Sequence, residues 1–525
     1  MDKKTNILIP LLLAVCTAGG MLIGSQFGGG SSNAVLSNTQ NKKLNQVLDL
    51  IEKSYVDTPN QEILIEHAIE EVLGKLDPYS AYVSARDLEH VNAQLQSSFD
   101  GIGVEFNIIQ DTITVITPIS GGPSEKLGIL PGDKIVNVEG ERVAGVDIEN
   151  GDVRTKLMGP KGTTVHIEVK RHGKKELIPF AITRDKIPLN SVDASYMVKP
   201  GVGYIKVSRF AAKTNEEFDH HLSQLLEDGA ENLILDLRGN PGGYLGQAVA
   251  MANQFLAKDQ LIVYTEGRKR SKEEHKANGT GVFQDGKLIV LIDKGSASAS
   301  EIVAGAVQDL DRGMIIGQRS HGKGTVQEPV ALIDGSSLRL TVARYYTPSG
   351  RCIQRDYEDV RNNTHASDSA EHKQYKTTNG RIVADGGGIN PDVVVEYDTT
   401  FYTPLLEKLI TNGLFYQFAS EYADAHRSSI TSAFETANDF AAYYSFDGEL
   451  DKVFKAFVSK HFDTEIDSQY QISKPFISTR VRALIGKTLY GENCYYQIVN
   501  LNNESFKKAL EILSSNEYQA FGLGE

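Results

Sequence analysis

The sequence predicts an α/β fold, because a short apolar strand, a turn rich in small residues and an amphipathic helix follow one another twice. The first unit starts with the apolar run 233–238 and passes through the glycine turn 239–243. The second starts with the apolar run 287–293, and apolar residues resume helical spacing after residue 301. The chain of 525 residues also exceeds the roughly 250–300 that one core supports, so we expect several domains.

The N-terminus predicts a membrane anchor. Lys3 and Lys4 precede an apolar stretch at 7–23, which is near the lower length limit for crossing a bilayer. A cleaved signal peptide is the alternative, but no clear Ala-x-Ala site follows. The two lysines place the body on the periplasmic or extracytoplasmic side of the inner membrane. We therefore expect a cell-envelope protein in which residues 1–37 are anchor and linker.

Residues 38–97 predict a small helical segment, which we expect to pack on the core or on a second subunit. The apolar residues at helical spacing are Leu44, Val47, Leu48, Ile51, Ile65, Ile69, Val72 and Leu76.

Residues 98–185 predict a small β module. Two strands joined by a turn precede a short helix, a glycine and another strand. The module resembles a PDZ domain, a resemblance that implies binding of a peptide's C-terminal carboxylate by backbone N–H groups while the peptide adds as a strand. The corresponding loop consists of Gly101, Ile102, Gly103 and Val104. A spacer without a ligand is the alternative.

Ser298 is the candidate nucleophile, since it lies among small residues where the second strand turns into its helix. Unpaired N–H groups at the start of a helix can hold an oxyanion. The alternative is a capping box between Ser298 and Glu301. Lys323 is the candidate base, although a lysine between glycines is also typical of a solvated loop. Gly242 and Gly243 supply either oxyanion donors or only a tight turn.

These motifs together resemble the carboxyl-terminal processing peptidases, the tail-specific protease family. The matching segments are 76–80 (LDPYS), 236–243 (DLRGNPGG), 295–301 (GSASASE), 322–327 (GKGTVQ), 345–351 (YYTPSGR) and 387–392 (GGINPD). The resemblance implies a crotonase-like serine protease core at 186–397, with an inserted PDZ-like module and flanking helical segments.

The same resemblance implies roles for individual residues. Ser298 is the nucleophile, Lys323 the general base and Gln327 the residue that orients the lysine. The oxyanion donors are the N–H groups of Ala299 and of Gly242 or Gly243. The reaction is peptide hydrolysis through an acyl-enzyme without metal or cofactor, near the C-terminus of a protein substrate. A PDZ-like module beside the protease core also suggests that the position of the module controls protease activity. The alternative is a non-catalytic ligand- or peptide-binding protein, as in the interphotoreceptor retinoid-binding proteins that share the core fold.

A lysine base needs a neutral amine. The ordinary lysine pKa is near 10.4, so activity near pH 7 requires a shift of about three units, or roughly 4–5 kcal/mol. Burial is the usual cause of such a shift. His321 is the rival base, because its ordinary pKa is already near 6.5.

Composition excludes some partners and leaves the last segment open. The net charge of −14 argues against non-specific nucleic-acid binding. Residues 398–525 hold 22 of the 42 Phe and Tyr residues, which predicts a packed helical module of unknown role. Cys352 and Cys494 lie in separate predicted domains, and we expect them to stay free. Natural substrates, a homo-oligomer and an activating partner are left open.

Overall fold

The computed structural model describes residues 33–119, 121–171, 173–362, 373–462 and 466–523. The predicted anchor at 7–23 lies outside these ranges. Within them, no helix is both long and apolar enough to cross a membrane.

The residues up to Leu76 form a unit of their own. Its helices are α1 (Asn33–Ser54) and α2 (Gln61–Gly74). Asn60 caps α2 by accepting a hydrogen bond from the N–H of Ile63 at 3.2 Å. Leu44 and Val72 are more than half exposed. The apolar residues at helical spacing therefore form helices here, but these helices have no buried core of their own.

The second unit begins at Asp77, and its first elements lead into the PDZ-like module. The elements are β1 (Ala81–Val83), α3 (Ala85–Leu95), β2 (Ser98–Gly101), β3 (Val104–Ile108), β4 (Ile113–Pro118), α4 (Pro123–Lys126), β5 (Lys134–Val138), β6 (Glu141–Arg142), α5 (Asn150–Leu157), β7 (Thr164–Lys170), β8 (Ile178–Thr183) and β9 (Asp185–Pro188). Strands β2 and β9 pair antiparallel and so join the two ends of the module. The sheet runs β3-β4-β5-β7-β8, with β6 on β5, so β3 is an edge strand that can accept a further strand.

The core contains two sheets. Its elements are β10 (Val192–Lys199), β11 (Val202–Val207), α6 (Thr214–Glu227), β12 (Asn232–Asp236), α7 (Leu245–Asn253), β13 (Leu261–Gly267), β14 (Arg270–Lys276), β15 (Lys287–Ile292), α8 (Ala299–Asp309), β16 (Met314–Gly317), β17 (Thr325–Ala331), β18 (Ser337–Tyr346), α9 (Tyr357–Arg361), β19 (Gln374–Lys376), β20 (Ile382–Ala384) and β21 (Val393–Val394).

The larger core sheet has the order β10-β11-β12-β15-β16-β21. Strands β12 and β15 are parallel neighbours, so the turns that follow them meet at one edge of the sheet. The second sheet runs β1-β18-β13-β14, with β17 paired to β18. All of its pairs are antiparallel, and β17 carries the segment that follows Lys323.

The sequence also predicts an exposed loop at 362–380, a polar segment, but the described residues 373–380 include a short strand. Residues 374–376 pair with 382–384, and Thr377 is buried. Arg381 fixes this hairpin by ion pairs with Asp311 at 2.6 Å and Asp392 at 2.5 Å. The low apolar content of these residues therefore did not predict the strand, which the ion pairs of Arg381 help to hold.

The C-terminal part of the chain is helical. Its helices are α10 (Pro404–Thr411), α11 (Leu414–Ala433), α12 (Ala437–Tyr443), α13 (Gly448–Ser459), α14 (Asp467–Tyr490), α15 (Glu492–Leu501), α16 (Glu504–Ser514) and α17 (Glu517–Ala520). Phe415, Phe440 and Phe454 lie in the core of this module. Helix α16 instead covers one face of the larger core sheet, where Phe506 packs edge-on against Tyr204. Cys352 and Cys494 are both free.

Candidate active site

Ser298 is held in a strained backbone conformation at the start of α8. Its φ is +53° and its ψ is −112°, a region that a residue with a Cβ atom adopts only at a cost of order 1–3 kcal/mol. The residue is half-buried, while its neighbours Ala297 and Ala299 are buried. Such strain persists where the surrounding structure fixes it, and it is concentrated at functional sites.

The glycine turn after β12 packs directly against the serine turn. A Cβ atom on Gly242 would lie 2.8 Å from Ser298 Cβ and 2.9 Å from the nitrogen of Ala299. Asn240, which is fully buried, joins the two turns: its carbonyl accepts from the N–H of Ala297 at 2.9 Å and from Ser300 Oγ at 3.0 Å. Only glycine fits at position 242, and the close approach is what places the two candidate oxyanion sources side by side.

The candidate oxyanion donors differ in availability. The Gly242 N–H already donates to Asn240 Oδ1 at 2.9 Å. The N–H groups of Ala299 and Gly243 have no acceptor among the described residues. Gly243 is itself fixed by its neighbours, because a Cβ atom there would lie 2.0 Å from the carbonyl oxygen of Phe210. Ala299 and Gly243 are thus the pair free to hold a developing negative charge.

A buried network of charged side chains holds the end of β12, from which the glycine turn starts. Asp236 is almost fully buried and binds Arg238 Nε at 3.0 Å and Tyr204 Oη at 2.7 Å. Although burial opposes ionisation, the charges of Arg238 and Lys206 hold the pKa of Asp236 well below its usual range. The ionised carboxylate thereby fixes the strand end from which the turn departs.

Lys323 lies in the loop that enters β17. Burial lowers the pKa of its amine, and the positive charge of Arg339 lowers it further, while Glu301 and Asp77 act in the opposite direction. The Nζ atom lies 5.0 Å from the centre of the Tyr79 ring. This environment moves the amine in the direction that a general base requires.

Glu301 connects the two candidate catalytic residues, a role that the sequence indicated only as half of a helix cap. Its Oε2 accepts from the N–H of Ser298 at 2.8 Å, which is the expected capping contact, and from the N–H of Lys323 at 2.9 Å. Its Oε1 accepts from Ser320 Oγ at 2.5 Å and from the N–H of Gly322 at 2.8 Å. The side chain is fully buried. One carboxylate therefore holds the serine turn and the lysine loop together.

Tyr345 makes a second link between the same two segments. Its hydroxyl lies 3.1 Å from the carbonyl oxygen of Ser298 and 2.5 Å from that of Lys323. The backbones of both residues are thus fixed to common partners.

Gln327 lies close to the lysine loop but bonds elsewhere. Its amide donates to Thr325 Oγ1 at 2.9 Å and Thr341 Oγ1 at 3.2 Å. Thr341 in turn donates to Asp77 Oδ1 at 3.1 Å. The pairing of β17 with β18 shifts its register between Val326 and Gln327.

Asp77 and Tyr79 are further site residues whose positions the sequence did not predict. Asp77 also accepts from the N–H groups of Tyr79 and Ser80, both at 2.8 Å, which shapes the loop before β1. The only sequence signal was their place in the matching LDPYS segment.

The loop 101–104 lies at the start of edge strand β3. Gly103 has a φ of +73°, and a Cβ atom there would lie 2.9 Å from Ile187 Cδ1. The carbonyl of Ile102 accepts from Ser124 Oγ at 2.6 Å, which fixes the loop. The N–H groups of Ile102 and Gly103 have no acceptor in the described part of the chain, so they are available to an anionic ligand.

The described residues contain no group of three or more His, Cys, Asp or Glu side chains placed to hold a metal ion.

Family profiles match four parts of the chain. Peptidase family S41 matches residues 201–364, and the PDZ domain matches 101–181. The N-terminal domain of the activating protease CtpB matches 24–86, and a family of unknown function matches 405–491.

The chain is also similar to individual proteins. The carboxy-terminal processing protease CtpB of Bacillus subtilis is 37% identical over 60% of this chain and 65% of its own length. The carboxy-terminal-processing protease of Bartonella bacilliformis is 38% identical over 61% of this chain and 74% of its own length. Among solved structures, the photosystem II D1 C-terminal processing protease is 27% identical over 71% of this chain and 90% of that chain, with a TM-score of 0.38.

Proposed function

The chain belongs to the carboxy-terminal processing proteases of peptidase family S41, and on that premise we propose that Ser298 and Lys323 are its catalytic dyad. In this mechanism Ser298 Oγ attacks the scissile carbonyl and Lys323 Nζ takes its proton. The protonated lysine then gives the proton to the leaving amine, and water hydrolyses the acyl-enzyme by the same route. Ala299 and Gly243 hold the oxyanion, with Gly242 as a packing residue, and Gln327 positions the lysine loop through Thr325 and Thr341.

The observation that carries this proposal is the shared carboxylate. Glu301 Oε2 accepts hydrogen bonds from the backbone N–H groups of both Ser298 and Lys323. One oxygen atom therefore holds the backbones of the two residues close together. The strained backbone of Ser298 and the lowered pKa of Lys323 give the pair the properties of a nucleophile and a base.

Fluorophosphonate labelling tests the dyad against the alternative of a binding protein without catalysis. The unaltered chain is expected to be labelled, and Ser298→Ala to be unlabelled. Ser429→Ala is the matched control, since Ser429 is an exposed serine of α11 whose Oγ donates to the carbonyl of His426, and the change should leave labelling intact. Equal labelling of the unaltered chain and Ser298→Ala would reject the assignment.

We also propose that the PDZ-like module binds the free C-terminus of a substrate through the loop 101–104, and that its position gates the protease. A PDZ domain matches this region, and the free N–H groups of Ile102 and Gly103 suit a carboxylate. Natural substrates would then be proteins or peptides with accessible C-termini.

For location, we propose an extracytoplasmic enzyme held to the membrane by residues 7–23. The support is the apolar stretch after Lys3 and Lys4. A chain starting near Asn33 should be recovered in soluble form and cleave peptides. Recovery of the full chain in the cytosol, protected from external protease, would contradict the proposal.

A further inference from the structure

A groove of about 670 Å³ lies between the PDZ-like module and the C-terminal helices. One side is formed by residues 102–106 of the loop and edge strand β3 and by Val153 and Leu157 of α5. The other side includes Tyr416 of α11, Lys487 of α14 and Tyr495 of α15. The volume lies in the range of sites that hold a small ligand or a short peptide segment.

The C-terminal side of this groove is bonded to the core and lies close to the PDZ-like module. On the core, Asn493 Oδ1 accepts from the N–H of Ser195 at 2.9 Å, and Tyr496 Oη donates to Asp193 at 3.0 Å. On the PDZ-like module, a Cβ atom on Gly413 would lie 3.1 Å from Ile109 Cδ1. The helices therefore form a wall that is fixed to the core.

The wall itself is internally paired. The Arg480 guanidinium lies 5.5 Å from the ring centres of both Tyr416 and Tyr495, and its Nη2 donates to Tyr416 Oη at 3.1 Å. Lys487 pairs with Glu492 at 2.7 Å. Arg480 thus holds the two tyrosine rings of this wall in place, and the charge of Lys487 is paired with that of Glu492.

Two arginines of the lining are not compensated. Arg154 of α5 and Arg209, which follows β11, are half-buried, and neither guanidinium has a hydrogen-bond or ion-pair partner among the described residues. Of the acidic residues in the lining, Asp193 bonds Ser208 and Tyr496, and Glu492 bonds Lys487. Glu105 is exposed to solvent. The groove thus has free cationic donors suited to a carboxylate.

We propose that the C-terminal helical module is the second wall of the peptide groove, and that Arg154 and Arg209 select substrate tails with an acidic side chain near the C-terminus. The occupant is the tail of a protein substrate, because the groove is continuous with the loop 101–104. This inference rests on the proposed binding of free C-termini by that loop.

Peptide binding to the full chain carrying Ser298→Ala tests the proposal without cleavage. Fluorescence anisotropy would compare a peptide with Glu among its last four residues against the same peptide with Gln. The acidic peptide should bind about 10-fold to 100-fold more tightly, as expected for charge-assisted hydrogen bonds. Arg154→Gln together with Arg209→Gln should abolish this difference. Arg427→Gln, an exposed arginine paired to Asp424, is the control and should preserve it.

The wall is tested with a photo-crosslinking residue placed upstream in the same peptide. Crosslinks to residues 405–501 are expected, and crosslinks confined to 98–185 would overturn the second wall. Equal affinity for the Glu and Gln peptides would overturn the selection by arginines. If amidation of the peptide's C-terminus leaves binding unchanged, the proposal that the loop 101–104 binds the carboxylate is wrong. This result is distinct from equal affinity for the Glu and Gln peptides, so the experiment separates the two proposals.

Discussion

The backbone N–H groups of Ser298 and Lys323 donate to the same oxygen atom, Oε2 of Glu301. The buried carboxylate also receives two donors from the loop before Lys323, so four hydrogen bonds converge on one side chain. This arrangement makes the alignment of the site depend on a residue that touches no substrate in the proposed mechanism.

Glu301→Gln should therefore weaken both folding and turnover. An amide has one accepting oxygen, and its NH2 group would face backbone donors, so we expect the free energy of unfolding to fall by about 1.5–3 kcal/mol. Urea denaturation measures the change. Glu328→Gln removes an acid from a largely exposed pair with Arg270 and should cost less than about 1 kcal/mol. Equal losses in the two variants would contradict the role of Glu301.

Lys323→Ala should lower kcat by roughly 10³ or more with folding intact, because the activating base is lost. His321→Ala, two residues away, should cost far less. Steady-state cleavage of one peptide by both variants decides between the bases. The opposite ranking would assign the base to His321.

The pH profile should respond to Arg339. The active form of Lys323 is neutral, so kcat/KM rises as pH increases through the lysine pKa, which burial and Arg339 lower below its ordinary value. Removing the positive charge by Arg339→Ala should raise that pKa and move the rise in activity to higher pH. Arg339→Lys keeps the charge and should leave the profile in place. A rise that stays at the same pH in both variants would rule out this electrostatic coupling.

Gly242→Ala should disable the serine turn. The added Cβ atom would lie 2.7 Å from the carbonyl oxygen of Ala297, and the φ of +97° is itself unfavourable for alanine. We expect loss of peptide cleavage and a lower melting temperature. Gly246→Ala is the control, because that site in α7 has open space, and alanine there should stabilise the helix by up to about 1 kcal/mol. Normal activity of Gly242→Ala would show that the two turns need not touch.

Substrate choice should depend on the free C-terminus. A peptide acid should bind roughly 10–150-fold more tightly than its amide, since amidation removes charge-assisted hydrogen bonds. Gly103→Val should erase much of this contrast by crowding Ile187, while hydrolysis of a small activated ester continues. Equal cleavage of the acid and the amide by the unaltered enzyme would mean that the PDZ-like module does not bind the free C-terminus and acts only as a spacer.

The elements around Ser298 were predictable because their signal is local. An apolar run followed by helical spacing marks the end of β15 and the start of α8, and the same pattern marks β12 and α7. The cap contact of Glu301 was predictable for the same reason, since its partner is three residues away.

The remaining contacts depend on the tertiary fold. The bond between Asp77 and Thr341 joins residues 264 positions apart, and the approach of Gly242 to Ser298 requires β12 and β15 to be neighbours. Aromatic content predicted that residues after 398 are packed, but not against what. The docking of α15 on β10 relies on single polar pairs such as Asn493 with Ser195, which leave no periodic pattern.

The positive φ of Ser298 implies a trade-off between durability and activity. Glycine would occupy this position without the steric cost that serine bears. If Ser298 is the nucleophile as proposed, a Ser298→Gly chain would be inactive yet more resistant to unfolding than the unaltered chain. On that proposal, a screen that rewards stability alone would favour glycine at position 298 and so yield inactive variants.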